Sequence, residues 1–245
     1  MLPRHDDIGV LRRIVEASCI TMAVVLWAIH ATRFVANWSV ASWWAPVLIL
    51  MGMAAADLTS GIVHWAADTW GRESMPIIGR RLLHPFRVHH VNPADFLRRD
   101  FLDANGDVAI IVILLQAAML WIPLAGSAGH NSLAFMLGFT SIGLWTNQIH
   151  QWAHTPSPPG PIRLLQAWGI ILSYEAHLRH HREPHVTDYC IVSGWCNGVL
   201  NRSGFFRRLE AAITWATGYR PRDDEESFSV ALFQSQTPGS GEAPS

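Results

Sequence analysis

The chain of 245 residues contains no lysine, and all 18 of its basic side chains are arginine. Arginine suits lipid phosphates, but a complete lack of lysine reads first as a compositional bias of the source genome. Charge of either sign is scarce: 15% of residues are charged against 50% hydrophobic, and the net charge of −1 gives no sign of a nucleic-acid partner. Cysteine is equally sparse, and Cys19, Cys190 and Cys196 form neither a disulfide framework nor a zinc motif. No cleavable signal peptide is expected, because the first apolar run is about 20 residues long and lacks a clear small-residue cleavage site. What the chain has in excess is apolar length, and a mean hydropathy of +0.18 is unusual for a soluble protein.

A helix needs about 20 apolar residues to cross a hydrocarbon core roughly 30 Å thick. Four stretches approach that, at 14–34, 43–65, 108–124 and 132–152. The expected fold class is therefore an all-α integral membrane protein with about four spans. Each span carries polar residues: Glu16 and His30, Asp57 and His64, Gln116, and His150. Polar groups at membrane depth are costly and mostly functional. Arginines precede the first span and fill the segment between the second and third, whereas 125–131 has no charge. By the positive-inside rule both termini are then cytoplasmic. Trp38, Trp43 and Trp44 at one border and Trp65 and Trp70 at the other read as interfacial anchors. The expected organisation is an N-terminal tail (1–13), one membrane domain (14–222) and an acidic, then Gln-, Ser-, Pro- and Gly-rich tail (223–245) with the composition of a disordered segment. A soluble all-helical protein with a greasy core is the alternative.

Histidine is the residue that is concentrated. The nine residues 177–185 hold four of the 13 histidines, where composition alone would place about half of one. On a helix His177, His180 and His181 share one face, while Pro184 turns the chain so that His185 falls on the following turn. Asp57, Gly61, His64 and Asp68 are spaced by four, three and four and form an inward stripe at the end of the second span. His84, His89 and His90 lie in a polar segment of short helices (71–106) that ends at Asp100 and a turn-like 103–107. His150 and His154 are an i, i+4 pair. A Pro- and Gly-rich loop and an interfacial or re-entrant helix over 162–181 connect them to the densest cluster. This topology gathers ten histidines at one membrane face. Such a cluster exceeds the three or four ligands of one zinc, and points to two metals and to oxygen activation by iron. Taken alone, the 177–185 cluster also fits a basic, solvated helix end.

From Asp57 to Asp224 the chain resembles the plasmanylethanolamine, or Kua-type, membrane lipid desaturases, which have animal, myxobacterial and plant branches. The resemblance runs through residues 64–71, 85–90 and 105–107, through 147–150 with His154, and through 177–185. It continues in 189–191, Gly194-Trp195, 207–210 and 221–224. It implies a di-iron, oxygen-dependent desaturase of a phospholipid chain, with the plasmalogen vinyl ether as the first expected product and an acyl chain of phosphatidylglycerol as the alternative. It implies two iron ions held by His64, His89, His90, His150, His154, His177, His180, His181 and His185, with O2 as co-substrate. The electron donor would be an external ferredoxin- or cytochrome-type protein, and the location a bacterial inner membrane. His84 stands where the family has arginine, and Arg99 where the animal branch has histidine. The expectation drawn from this is that the two have exchanged roles, with His84 supplying the missing imidazole. Asp57, Asp68 and Asp100 are expected to orient imidazoles, and Arg87, Arg98 or Arg179 to meet the lipid head group. Haem-based electron transfer, metal transport, and a non-catalytic regulator on the same scaffold are the remaining alternatives.

Overall fold

The computed structural model describes residues 9–222, and among these every regular element is helical. Most of the expected N-terminal tail and all of the expected C-terminal tail lie outside the described residues. Helices α1 (Val10–Ala36), α2 (Ala45–Thr69) and α5 (Phe101–Met119) are long and apolar enough to cross a membrane. Between α2 and α5 the polar segment folds into α3 (His84–Val91) and α4 (Pro93–Phe96). Helix α6 (Ser127–Gly143) follows α5 and is only 17 residues long.

Three boundaries differ from the sequence-based expectation, each for a local reason. The supposed turn at 103–107 lies inside α5, because Asp100 caps that helix by accepting from the N–H groups of Leu102 and Asp103, both at 3.1 Å. The expected fourth span is broken after Gly143, and the chain resumes as α7 (Thr146–Ala153). There the Gln148 N–H donates to Asn105 Oδ1 at 3.1 Å and Asn147 Nδ2 donates to the Ala104 carbonyl at 2.7 Å, so α7 is docked on α5. The helix expected over 162–181 is two pieces, α8 (Gly160–Ala167) and α9 (Tyr174–His180), separated at Gly169, whose φ of +66° suits glycine. Ser173 restarts the chain as the N-cap of α9, its hydroxyl accepting from the Ala176 N–H at 3.2 Å. Helices α10 (Asn197–Ser203) and α11 (Phe205–Thr217) complete the described chain.

The long helices associate in two pairs, α1 along α5 and α2 along α6. In the second pair, added Cβ atoms on Gly52 and Gly138 would overlap the Phe135 and Ile49 carbonyls, so each glycine admits the other helix's backbone. Helices α2 and α5 share no such face, and a cavity lies between them. Buried Glu16 of α1 is neutralised by Arg12, one turn earlier, at 2.6 Å.

Candidate metal centre

Four elements bring the histidines together. The last turns of α2 carry His64 and Asp68, α3 carries His89 and His90, α7 carries His150 with His154 directly after it, and α9 carries His177 and His180 with His181 at its end. Two groups result, His64–His89–His90–His180 and His89–His150–His154–His177, and within each the ligating atoms lie within 4.8 Å of one another. His89 belongs to both. His181 joins the second group with its Nε2 3.1 Å from that of His177. His185 sits at the rim, its ring centre 4.8 Å from that of His90.

The Nε2 atoms of His150, His154 and His177 form a triangle with sides of 2.9, 2.9 and 3.2 Å. Hydrogen bonding cannot account for it. Each neutral Nε2 either donates or accepts, so at least one side of any such triangle sets donor against donor or acceptor against acceptor. A shared cation resolves the conflict: ligand nitrogens about 2.1 Å from one ion, at mutual angles between 90° and tetrahedral, are about 3.0–3.4 Å apart. The far sides of three rings are already committed. Nδ1 of His64 donates to the Tyr189 carbonyl at 3.0 Å, Nδ1 of His180 to the Thr187 carbonyl at 2.8 Å, and Nδ1 of His89 to the Phe86 carbonyl. Those bonds place the proton on Nδ1 and turn each Nε2 lone pair inward. Nε2 of His64 and of His89 is buried with no hydrogen-bond partner. Burial, reinforced by the neighbouring imidazoles, holds the His89 and His177 pKa values well below the usual histidine range and lowers His154 to about 4 and His180 to about 3. At neutral pH these rings are neutral, which is the ligating form.

Asp68, expected to orient imidazoles, lies beside the first group. Its Oδ2 lies 3.1, 3.3 and 3.7 Å from Nε2 of His90, His64 and His180, on the inward edges of the rings. Those are the edges that face the other imidazoles, whereas the Nδ1 edges of His64 and His180 face the carbonyls of Tyr189 and Thr187. Asp57 is away from both groups. Its Oδ1 accepts from the N–H groups of Ser193 and Gly194 at 2.8 and 2.9 Å and its Oδ2 from Cys196 at 3.1 Å, so it ties the loop after the last histidines to α2. Asp100 is the α5 cap and pairs with Arg13 at 2.5 Å. His84 lies outside both groups, its Nδ1 2.7 Å from Glu73 Oε2. Arg99 meets both carboxylate oxygens of Asp103, at 2.8 and 2.9 Å.

The three arginines expected at the head group have other partners. Buried Arg87 donates to the Trp70 and Gly71 carbonyls at 3.2 and 2.9 Å, Arg98 pairs with Asp95 at 2.6 Å, and Arg179 with Asp188 at 3.4 Å. The carbonyls of Phe86, Thr187 and Tyr189 were not visible to motif reading, because any residue type supplies a carbonyl. The polar set Asn105, Asn147, Gln148 and Gln151 did carry a signal, being amides on helices of an otherwise apolar domain. Gln151 donates to the carbonyls of Phe96 and Arg99 at 3.0 and 2.8 Å and so locks the segment before α5 to α7.

The cavity between α2 and α5 has a volume of about 290 Å³. Its walls are mainly apolar, including Val63, Ile111, Leu115 and Phe139, and both His89 and His150 line it. Val63 and Ile111 are exposed on the outer surfaces of their helices, so the cavity borders the face that lipid would cover.

A family model described as the lipid desaturase domain matches residues 53–224. Plasmanylethanolamine desaturase of Myxococcus xanthus is 36% identical over 228 residues, covering 93% of this chain and 79% of the relative. Plasmanylethanolamine desaturase 1 of mouse is 38% identical over 202 residues, covering 78% and 74%. The chloroplastic fatty acid desaturase 4 of Arabidopsis thaliana is 38% identical over 178 residues, covering 71% and 53%. No solved structure matches.

Proposed function

The chain belongs to the lipid desaturase family and is a membrane oxidoreductase, and from that premise we propose that it is an O2-dependent di-iron desaturase that converts a plasmanylethanolamine into the vinyl ether of a plasmalogen. The observation that carries this reading is the pair of imidazole groups, joined at His89, beside an apolar cavity between two helices long enough to span a membrane. His64, His90, His180 and Asp68 would hold one iron and His150, His154, His177 and His181 the other, with His89 between them. Bound there, the irons supply the activation of oxygen and the abstraction of hydrogen. The balance is one –CH2–CH2– unit, O2, two electrons and two protons giving –CH=CH– and two waters, so the electrons must come from an external ferredoxin- or cytochrome-type donor.

The chain's own residues set the rest. Val63, Ile111, Leu115 and Phe139 take the lipid chain by burying its methylenes, each worth about 0.8 kcal/mol. Phe86 and Phe96, which also line the cavity, shield the rings of His89 and His150 from water. The carbonyls behind His64, His89 and His180 keep their lone pairs aimed while the substrate moves. No protein base is assigned, because hydrogen-atom abstraction does not need one. The arginine distribution supports an orientation with both termini and the metal centre cytoplasmic, as in a bacterial inner membrane.

A second substrate, an acyl chain of phosphatidylglycerol, is favoured by the 38% identity to the plant fatty acid desaturase. Haem binding is disfavoured by the crowding of rings 4.3–5.0 Å apart, as between His64 and His180 or His89 and His150, which leaves no room for a macrocycle. Mass spectrometry of lipids from cells with and without the gene tests the proposal, together with iron analysis of the purified protein. Vinyl ethers that depend on the gene and about two irons per chain are expected. Unchanged ether and acyl lipids under aerobic growth would overturn it.

A further inference from the structure

The cavity has an exposed end that the desaturase reading leaves unexplained. Among the described residues, the charged or ionisable side chains that line it besides His89 and His150 are Arg81, Arg99 and Asp107. Arg99 is committed to Asp103 through both carboxylate oxygens. Arg81 and Asp107 are not enclosed: their side chains are 52% and 36% exposed, and they approach each other only loosely, Nη1 to Oδ1 at 3.5 Å. Arg12 reaches the other Asp107 oxygen at 3.3 Å. An acid and a base thus stand at the solvent end of an apolar cavity, solvated and loosely paired.

We propose that this pair selects the head group, with Arg81 taking the phosphate and Asp107 the ammonium of an amine-bearing zwitterionic phospholipid. The charges are complementary term by term. A phosphodiester placed against Arg81 frees Asp107 Oδ1 for a primary ammonium a few ångströms further along the head group, while Arg12 stays 3.3 Å from the other carboxylate oxygen. A phosphoglycerol head group has the phosphate but no cation, and Asp107 would oppose its single negative charge at close range. A quaternary ammonium lacks the N–H donors that Asp107 can accept from. The inference rests on the desaturase reading only for the identity of the chain that fills the cavity. It replaces Arg87, Arg98 and Arg179, none of which lines the cavity, as the head-group residues.

The test is lipid retention by the full-length purified protein, incubated with equimolar phosphatidylethanolamine, phosphatidylcholine and phosphatidylglycerol of matched chains and analysed by native mass spectrometry. The wild type is expected to retain phosphatidylethanolamine over phosphatidylglycerol by about tenfold, the size of one charge-assisted contact. In Asp107→Asn that preference should fall to about twofold or less, and in Arg81→Gln retention of all three lipids should fall while the preference for the amine persists. A wild type that prefers phosphatidylglycerol, or an Asp107→Asn protein that keeps the full preference, overturns the proposal. The wild-type measurement decides even if the variants fail to fold. Failure of the desaturase reading is distinguishable, because it leaves cellular lipids unconverted while amine-selective retention persists.

Discussion

Histidine is buried at both ends of the helical bundle, and the two ends use it differently. At one end His30 Nε2 bonds the Gln116 carbonyl at 2.8 Å and its Nδ1 meets Arg33 at 3.0 Å, while Arg33 continues to the carbonyls of Met119 and Ile122 and closes the end of α5. His130 bonds the Phe34 carbonyl at 3.1 Å and stacks on the Phe34 ring. At the other end the outer nitrogens of His64, His89 and His180 meet carbonyls, and the Nε2 atoms of His150, His154 and His177 meet one another. His30, His64 and His130 are all fully buried, so burial alone does not mark a metal centre. What the Nε2 edge faces is the difference: backbone in a structural cap, other imidazoles in a ligand group.

The strongest way to break this comparison is to remove one ring from each end. His177→Ala deletes a corner of the His150–His154–His177 triangle. It is expected to reduce bound iron from about two per chain to about one and desaturation at least ~100-fold, beyond the 10- to 100-fold typical of lost outer-shell partners. His130→Ala should keep both irons and lose about 1–3 kcal/mol of stability, the cost of an orphaned buried partner. Metal analysis and thermal unfolding of both proteins separate the outcomes. A His130→Ala chain that lost iron would end the distinction.

Acid titration of the metal-free protein tests the same contrast. Burial lowers His154 to about 4 and His180 to about 3, from an ordinary 6.5. Between those values and 6.5 the unfolded chain binds protons that the folded chain refuses. Stability is therefore fully present above about pH 6.5 and falls as the pH drops toward 4, by up to ~1.4 kcal/mol per pH unit for each such ring. The unfolding temperature of the metal-free protein should decrease steeply from pH 6.5 to pH 4.5. Bound metal should shift that loss to lower pH, because protons must then compete with it. A flat profile over this range would show that the rings are not held neutral.

Much of this was legible in the sequence, and what was not has physical causes. Spacing put His177 and His180 on one helix face and His150 beside His154, and span topology gathered the clusters at one end, because both follow from helix period and apolar length. The break after Gly143 was invisible, since it is set by Asn105 and Ala104 meeting α7 from another helix. The role of Asp57 was invisible for the same reason. A carboxylate on the stripe of His64 and Asp68 is three turns from the end of α2, at the level of the 192–196 loop, and only tertiary structure shows which neighbour it has. Asp57→Asn sharpens this point. It should cost about 2 kcal/mol, the loss of charge-assisted bonds to buried amides, and leave two irons bound. Loss of iron instead would place Asp57 in the metal centre after all.

The smallest expected effect belongs to the residue on which sequence reasoning was most specific. His84 was expected to replace the imidazole missing at Arg99, yet it faces Glu73 while Arg99 grips Asp103. Both partners of the His84–Glu73 pair are more than a quarter exposed, so solvent limits its worth to about 1 kcal/mol or less. His84→Ala is therefore expected to retain two irons and activity within about threefold of wild type, unlike His177→Ala. The double exchange His84→Arg with Arg99→His should be worse than the single change, because it strips Asp103 of its bidentate partner and leaves a buried carboxylate unpaired. Should His84→Ala lose an iron, the exchange would stand, and a ring that faces a carboxylate would have to be counted with the ligands.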